Sequence, residues 1–163
     1  MKQLFRTGFG FDVHAFAKDR KLIIGGIEIP NDKGLLGHSD ADVLLHAICD
    51  AMLGALSLGD IGTHFPNTDH KYKDADSGEL LRSVNNIIKE KGYLLSNLDA
   101  MIAMEKPRIA PFIPAMKKKI SLILGCDEDQ VSIKASTTEK LGFIGREEGA
   151  SAFASVLLVN GAK

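Results

Sequence analysis

Residues 39–56 read as a helix that is apolar almost all the way round, carrying Val43, Leu44, Leu45, Ala47, Ile48, Ala51, Met52, Leu53 and Leu56. A helix with no broad polar face must be buried on most sides, so the rest of the chain has to wrap it. One polar line interrupts it. Asp42, His46 and Asp50 stand four residues apart and share a face. Charged groups carried into an interior need a partner or a metal ion. Ser39 is the expected start of this helix, with Asp42 as its acidic partner three residues on.

Residues 3–14 read as a strand, because Gly8-Phe9-Gly10-Phe11-Asp12-Val13-His14 alternates with period two. Asp12 and His14 then leave one face, and Gly8 and Gly10 on that face give open space beside the carboxylate and the imidazole. Phe9, Phe11 and Val13 are expected on the other face, in the core. Asp12, His14 and His46 would make an Asp-His-His set with a coordination position free, as catalytic zinc sites have. Asp42 and Asp50 would orient His46 from behind. Spacing alone leaves a second reading open, a solvated helix stripe beside an unrelated strand with one polar face.

Leu22–Ile29 reads as a strand region bent at Gly25-Gly26, followed by a loop over 30–38. A longer loop is expected over 57–75, then a helix from Ser77 to Lys91 stopped by Gly92. A strand over Leu98–Met104, a helix over Pro111–Leu124 closed by Gly125, and strands over Val131–Ser136 and Ala150–Val159 complete the order. This order predicts an α+β chain, a mixed β-sheet packed against helices, and the 163 residues read as one domain, 1–163. With 20 Lys+Arg against 21 Asp+Glu there is no electrostatic motive for binding nucleic acid or an anionic membrane. No apolar run approaches the roughly 20 residues that span a bilayer. No signal or transit peptide is visible, and two distant cysteines, Cys49 and Cys126, fit a reducing cytoplasm.

The Gly8-x-Gly10 pair lacks the third glycine and following helix of a dinucleotide fingerprint, and no GxxxxGK[ST] motif occurs. Ser57–Gly62 and Phe65–Asp69, taken alone, are ordinary turn chemistry. At the end of the Val131–Ser136 strand, Ser136, Thr137 and Thr138 gather hydroxyls beside Glu139, a set that can hold phosphate and a hard cation. A capped turn accounts for the same residues.

GFDVH at Gly10–His14, GLLGHSDADVLLHA at Gly34–Ala47 and LGDIGTHFPNTD at Leu58–Asp69 stand in order with ADSGELLR at Ala75–Arg82 and KASTTEKLGFIGR at Lys134–Arg146. Together they resemble the 2-C-methyl-D-erythritol 2,4-cyclodiphosphate synthase family over essentially the whole chain. The resemblance implies a homotrimer with active sites shared between neighbouring subunits. It implies conversion of 4-diphosphocytidyl-2-C-methyl-D-erythritol 2-phosphate into the cyclic diphosphate and CMP, in the non-mevalonate isoprenoid pathway. It implies Zn2+ or another divalent cation at Asp12, His14 and His46, and Mg2+ or Mn2+ at Glu139 with the substrate diphosphate. It implies catalytic roles for His38, Thr137 and Asp60, with His38 and Ser39 on substrate phosphates. It implies a methylerythritol pocket lined by Asp60, Ile61, Gly62, Phe65, Pro66, Asn67, Thr68 and Asp69. It implies that Met104, Glu105, Lys106, Pro107, Arg108, Ile109 and Ala110 close over CDP with Ala135, Ser136, Thr137 and Thr138.

A trimer-axis cavity near Phe11, Phe143, Arg146 and Phe153 is also implied, of the kind that can hold an isoprenoid diphosphate in relatives. Phe153 stands where some relatives carry Glu, and Ser136 where the family often has Thr. The sequence has no catalytic triad or nucleophile elbow, which suits a reaction whose nucleophile is already a phosphate anion. A zinc-dependent nucleotide phosphohydrolase and a non-catalytic trimeric metal-binding scaffold would use the same three ligands. The five segments in matching order favour the cyclase.

Overall fold

A computed structural model describes residues 3–66, 68 and 75–161. The chain runs through β1 (Phe5–Lys18), a hairpin of β2 (Leu22–Ile24) and β3 (Ile27–Ile29), then β4 (Lys33–Leu35) and α1 (Val43–Ala55). It continues through the one-turn α2 (Ile61–His64), α3 (Ser77–Glu90), β5 (Tyr93–Ala103) and α4 (Ile113–Leu124). β6 (Val131–Ser136), the one-turn α5 (Gly142–Gly145) and β7 (Gly149–Asn160) follow. Five strands form a sheet in the order β4-β1-β7-β5-β6. Every pairing is antiparallel except β5 with β6, which α4 joins as a parallel crossover. The fold is thus α+β with a mixed sheet, as expected. Among the described residues no helix is long and apolar enough to cross a membrane.

The centre of the fold is the seat of α1 on the sheet. A Cβ on Gly8 would stand 1.9 Å from the Ala51 carbonyl oxygen, and one on Gly10 1.9 Å from that of Ala47. The helix backbone therefore rests directly on the strand backbone. On β7 the neighbours on the same face, Ala150, Ala152 and Ala154, are small and buried as well. This overturns two expectations. The glycines do not open space beside Asp12 and His14; α1 fills it. Phe9, Phe11 and Val13 are not in the core but 67%, 46% and 43% exposed, because the period-two alternation gives the helix only the glycine face.

α1 also begins later than Ser39. Ala41 has φ +57°, a left-handed conformation a helix cannot propagate, and Asp42 is the N-cap. The Asp42 carboxylate accepts from Leu44 N (3.2 Å) and Leu45 N (3.0 Å), and also from Gly25 N (2.9 Å) and Gly26 N (2.7 Å) in the β2–β3 turn. Burial pushes its pKa up to about 6, against the lowering effect of these backbone donors. The expected loop over 30–38 contains β4, which pairs with the end of β1, and the expected loop over 57–75 contains α2, capped by Asp60. Both elements are too short to show a period. β1 and β5 run further than expected for a related reason, since partner strands supply pairing where side chains do not alternate.

Replacing Asp42 with alanine removes a cap, worth about 0.5–2 kcal/mol, and strands buried donors at about 1–3 kcal/mol. Asp42→Ala should therefore lose about 2–4 kcal/mol in urea unfolding. Gly10→Ala should cost about 3 kcal/mol, because its Cβ meets backbone that cannot turn aside.

Candidate active site

Asp12 and His14 leave the glycine face of β1 opposite Ala152 and Ala150 of β7. His46 comes to them from the first full turn of α1. Asp12 Oδ2 lies 2.9 Å from both His14 Nε2 and His46 Nδ1, and those two nitrogens are 3.2 Å apart. Each residue thus offers one ligand atom to a common point. The outer face of His14 is fixed as well, because its Nδ1 lies 2.7 Å from the Leu36 carbonyl oxygen. A carbonyl only accepts, so Nδ1 holds a hydrogen; on the neutral ring Nε2 then turns its lone pair inward, and a second proton taken up at Nε2 makes the hydrogen bond to Asp12. One carboxylate and two imidazoles with a free side is the donor set of a catalytic zinc site, and the residues fit such an ion.

Burial works to raise the Asp12 pKa, but hydrogen bonds from His14 and His46 outweigh it and hold it at about 2. Burial works to lower the His14 pKa, but its hydrogen bond to Asp12 outweighs that and raises it. Asp42 and Asp50 do not orient His46. Asp42 is spent on the cap, and Asp50 accepts from Ile61 N at 2.7 Å, which ties α2 beside the site. His46 Nε2 instead meets Ser39 Oγ (3.1 Å) and Ser77 Oγ (2.9 Å). Ser77 carried no sequence signal beyond a helix start, since its hydroxyl acts across a tertiary contact.

The three ligands line a cavity of about 220 Å³ together with Gly37, His38, Ser39, Ile61, Gly62, Phe65 and Leu80. His38 Nε2 is buried there with no hydrogen-bond partner among the described residues. Asp60 does not line this cavity; it is exposed and accepts from Thr63 N and Thr63 Oγ1 at 2.8 Å. Pro66 and Thr68 do not line it either, and Asn67 and Asp69 lie outside the described residues.

A second cavity of about 390 Å³ is lined by Met104, Glu105, Pro107, Arg108, Ile109, Ala110, Ala135, Ser136 and Thr137. Val13 and Ala103 both pair with Ser151 of β7, so the two cavities open at one end of the sheet with a single strand between them. Glu105 pins the turn after β6, accepting from Thr138 N (2.9 Å), Lys140 N (3.1 Å) and Thr138 Oγ1 (3.3 Å). Glu139 has φ +52° in that turn, and its carboxylate accepts from Thr137 Oγ1 at 2.9 Å. Lys106 turns away to Glu147 (2.9 Å), and Arg146 pairs with Glu148 (2.8 Å). Neither Phe143 nor Arg146 lines these two cavities; Phe11 packs against Phe153 with the rings tilted by 43° and their centroids 5.0 Å apart on the bare sheet face.

Zinc needs His14 neutral, and Asp12 raises its pKa above the ordinary 6.5. Apparent zinc affinity should therefore fall, and proton release on binding should rise, as pH drops through that region. Asp12, held at about 2, stays ionised throughout and adds no pH dependence there. Calorimetric titration in buffers of differing ionisation enthalpy measures both quantities.

A family model described as the YgbB family matches residues 5–159. The chain is 59% identical to the 2-C-methyl-D-erythritol 2,4-cyclodiphosphate synthase of Geobacillus thermodenitrificans over 95% of its own length and 97% of that protein. It is 61% identical to the enzyme of the same name from Bacillus velezensis, over 95% of this chain and 98% of that one. Among solved structures, the Plasmodium falciparum IspF–CDP complex superposes with a TM-score of 0.87 at 35% identity, covering 99% of this chain and 100% of that one. The bifunctional IspDF of Campylobacter jejuni superposes with a TM-score of 0.92 at 46% identity over 96% of this chain, which spans 42% of that longer protein. The chain belongs to the YgbB family, alongside relatives named as 2-C-methyl-D-erythritol 2,4-cyclodiphosphate synthases.

Proposed function

We propose that this chain is a cyclase acting on 4-diphosphocytidyl-2-C-methyl-D-erythritol 2-phosphate, releasing CMP and 2-C-methyl-D-erythritol 2,4-cyclodiphosphate in the non-mevalonate isoprenoid pathway. The observation that carries this reading is the convergence of Asp12, His14 and His46 in one cavity with His38, whose Nε2 has no hydrogen-bond partner among the described residues. Family membership narrows that chemistry to one substrate.

An oxygen of the 2-phosphate forms a bond to the β-phosphorus of the same molecule, and the bond from that phosphorus to the bridging oxygen breaks. CMP leaves with the electron pair. The nucleophile is already an anion, so the protein's task is to force two like-charged groups together. Positioning of that kind can be worth about 7–11 kcal/mol. His38 and Ser39 would donate to phosphate oxygens from the rim of the first cavity. The second cavity would take CDP, with Ser136 and Thr137 on its phosphates and the turn pinned by Glu105 beneath them. Ile61 and Gly62 would line the methylerythritol end. Divalent ions held by Asp12, His14 and His46, and by Glu139, would supply the positive charge that balances the diphosphate.

A homotrimer is part of this reading. Phe9, Phe11, Val13, Met101 and Phe153 share one sheet face and are all exposed. A patch so apolar needs cover, and three copies meeting sheet to sheet would supply it and carry one subunit's nucleotide cavity toward the next subunit's metal ligands. The same closure would create an axial cavity with room for an isoprenoid diphosphate. The free cysteines, Cys49 and Cys126, fit a cytoplasmic setting.

Phosphorus NMR of the purified protein with the CDP-linked substrate should yield the cyclic diphosphate and CMP. Free phosphate would mark a hydrolase, and unchanged substrate a scaffold. Light scattering should give three times the chain mass; a fully active monomer would rule out shared sites. Glu139→Gln keeps the turn's shape and removes its charge, so zinc content should survive. CMP release at low magnesium should fall about tenfold or more, with kcat affected more than KM.

A further inference from the structure

Behind His46 stands a group that the reaction does not use. Ser77, the first residue of α3, is fully buried, and its Oγ lies 2.9 Å from His46 Nε2. The same hydroxyl donates to Asp40 Oδ1 in a short hydrogen bond, while Ser77 N donates to Asp40 Oδ2 at 3.0 Å. The polarity of this chain runs one way. A carboxylate only accepts, so the single Ser77 hydroxyl hydrogen goes to Asp40. What Ser77 then presents to His46 is a lone pair, which requires a hydrogen on Nε2 and leaves the lone pair on Nδ1. Nδ1 is the atom that faces Asp12 Oδ2 and His14 Nε2.

We propose that Asp40 and Ser77 form a positioning relay that fixes the tautomer and ring orientation of His46, and so sets the affinity of the metal site. The inference rests on the metal reading of Asp12, His14 and His46 given above. Asp40 is the residue that sets the direction of the chain, and α3 enters the site through its first hydroxyl. Ser39 Oγ, 3.1 Å from the same Nε2, already accepts from Ala41 N at 3.1 Å. With Nε2–H committed to Ser77, the Ser39 hydroxyl hydrogen is left to point into the cavity.

Zinc affinity of the full chain, measured by chelator competition, tests the relay in Ser77→Ala, Asp40→Asn and the double variant. Asp40→Asn is close to isosteric and carries the test should Ser77→Ala fold poorly; its amide can donate to Ser77 and reverse the chain. Each single change should weaken zinc binding 10–100-fold. The double variant should bind no more than about twofold more weakly than the worse single one, because the two residues act in series. Cobalt-loaded single variants should also shift in their visible ligand-field bands, which a loss of packing alone would not move. Affinities within twofold of the unaltered chain with identical cobalt spectra, or losses that multiply in the double variant, would overturn the relay. An unaltered chain that binds no zinc would instead refute the metal reading, and the relay with it.

Discussion

The contact on which everything else depends is backbone against backbone. The carbonyls of Ala47 and Ala51 sit where side chains of Gly10 and Gly8 would otherwise be. With α1 seated this closely, His46 Nδ1 comes within 2.9 Å of Asp12 Oδ2. Glycine on the strand and alanine on the helix and on β7 therefore set the ligand distances as well as the packing. Asp42 fixes the remaining freedom of α1, its rotation and its start, by accepting from the helix and from the β2–β3 turn at once.

Around the convergent atoms, direction of hydrogen bonding does the rest. Leu36 O holds the far nitrogen of His14, and Ser77 backed by Asp40 holds that of His46. On the neutral rings the inward nitrogens carry the lone pairs, because the Leu36 carbonyl can only accept and the Ser77 hydroxyl hydrogen is committed to Asp40. The second cavity lies one strand away, built from the segment that follows β5, the end of β6 and the turn that Glu105 pins. Three residues that can hold a metal ion and a second cavity of about 390 Å³ at one sheet end suit a reaction in which two ends of one molecule must meet.

The ligand triad was legible because Asp12 and His14 obey a strand period and His46 interrupts an otherwise apolar helix. The mixed sheet and α+β class followed from the order of apolar runs. Which face of β1 is buried was not legible from hydrophobicity, since the larger, more apolar residues Phe9 and Phe11 lie on the bare face. Close approach of a helix reverses the usual rule, and only the glycine spacing hinted at it. The helix start shifted from Ser39 to Asp42 because the left-handed Ala41 is not encoded in any residue preference. Ser77 and Asp40 stayed hidden, as their roles arise from contacts 31 and 37 residues apart in sequence. Asp60, which the resemblance places at the site, caps α2 and does not line the first cavity.

α1 seated on the glycine face of β1 brings Asp12, His14 and His46 together in a set that fits a metal ion. Anomalous diffraction across the zinc edge, from crystals grown with zinc, should show one strong peak per chain, bonded to Asp12 Oδ2, His14 Nε2 and His46 Nδ1 together. Zinc bound elsewhere, or these three side chains pointing apart with no peak between them, would contradict it.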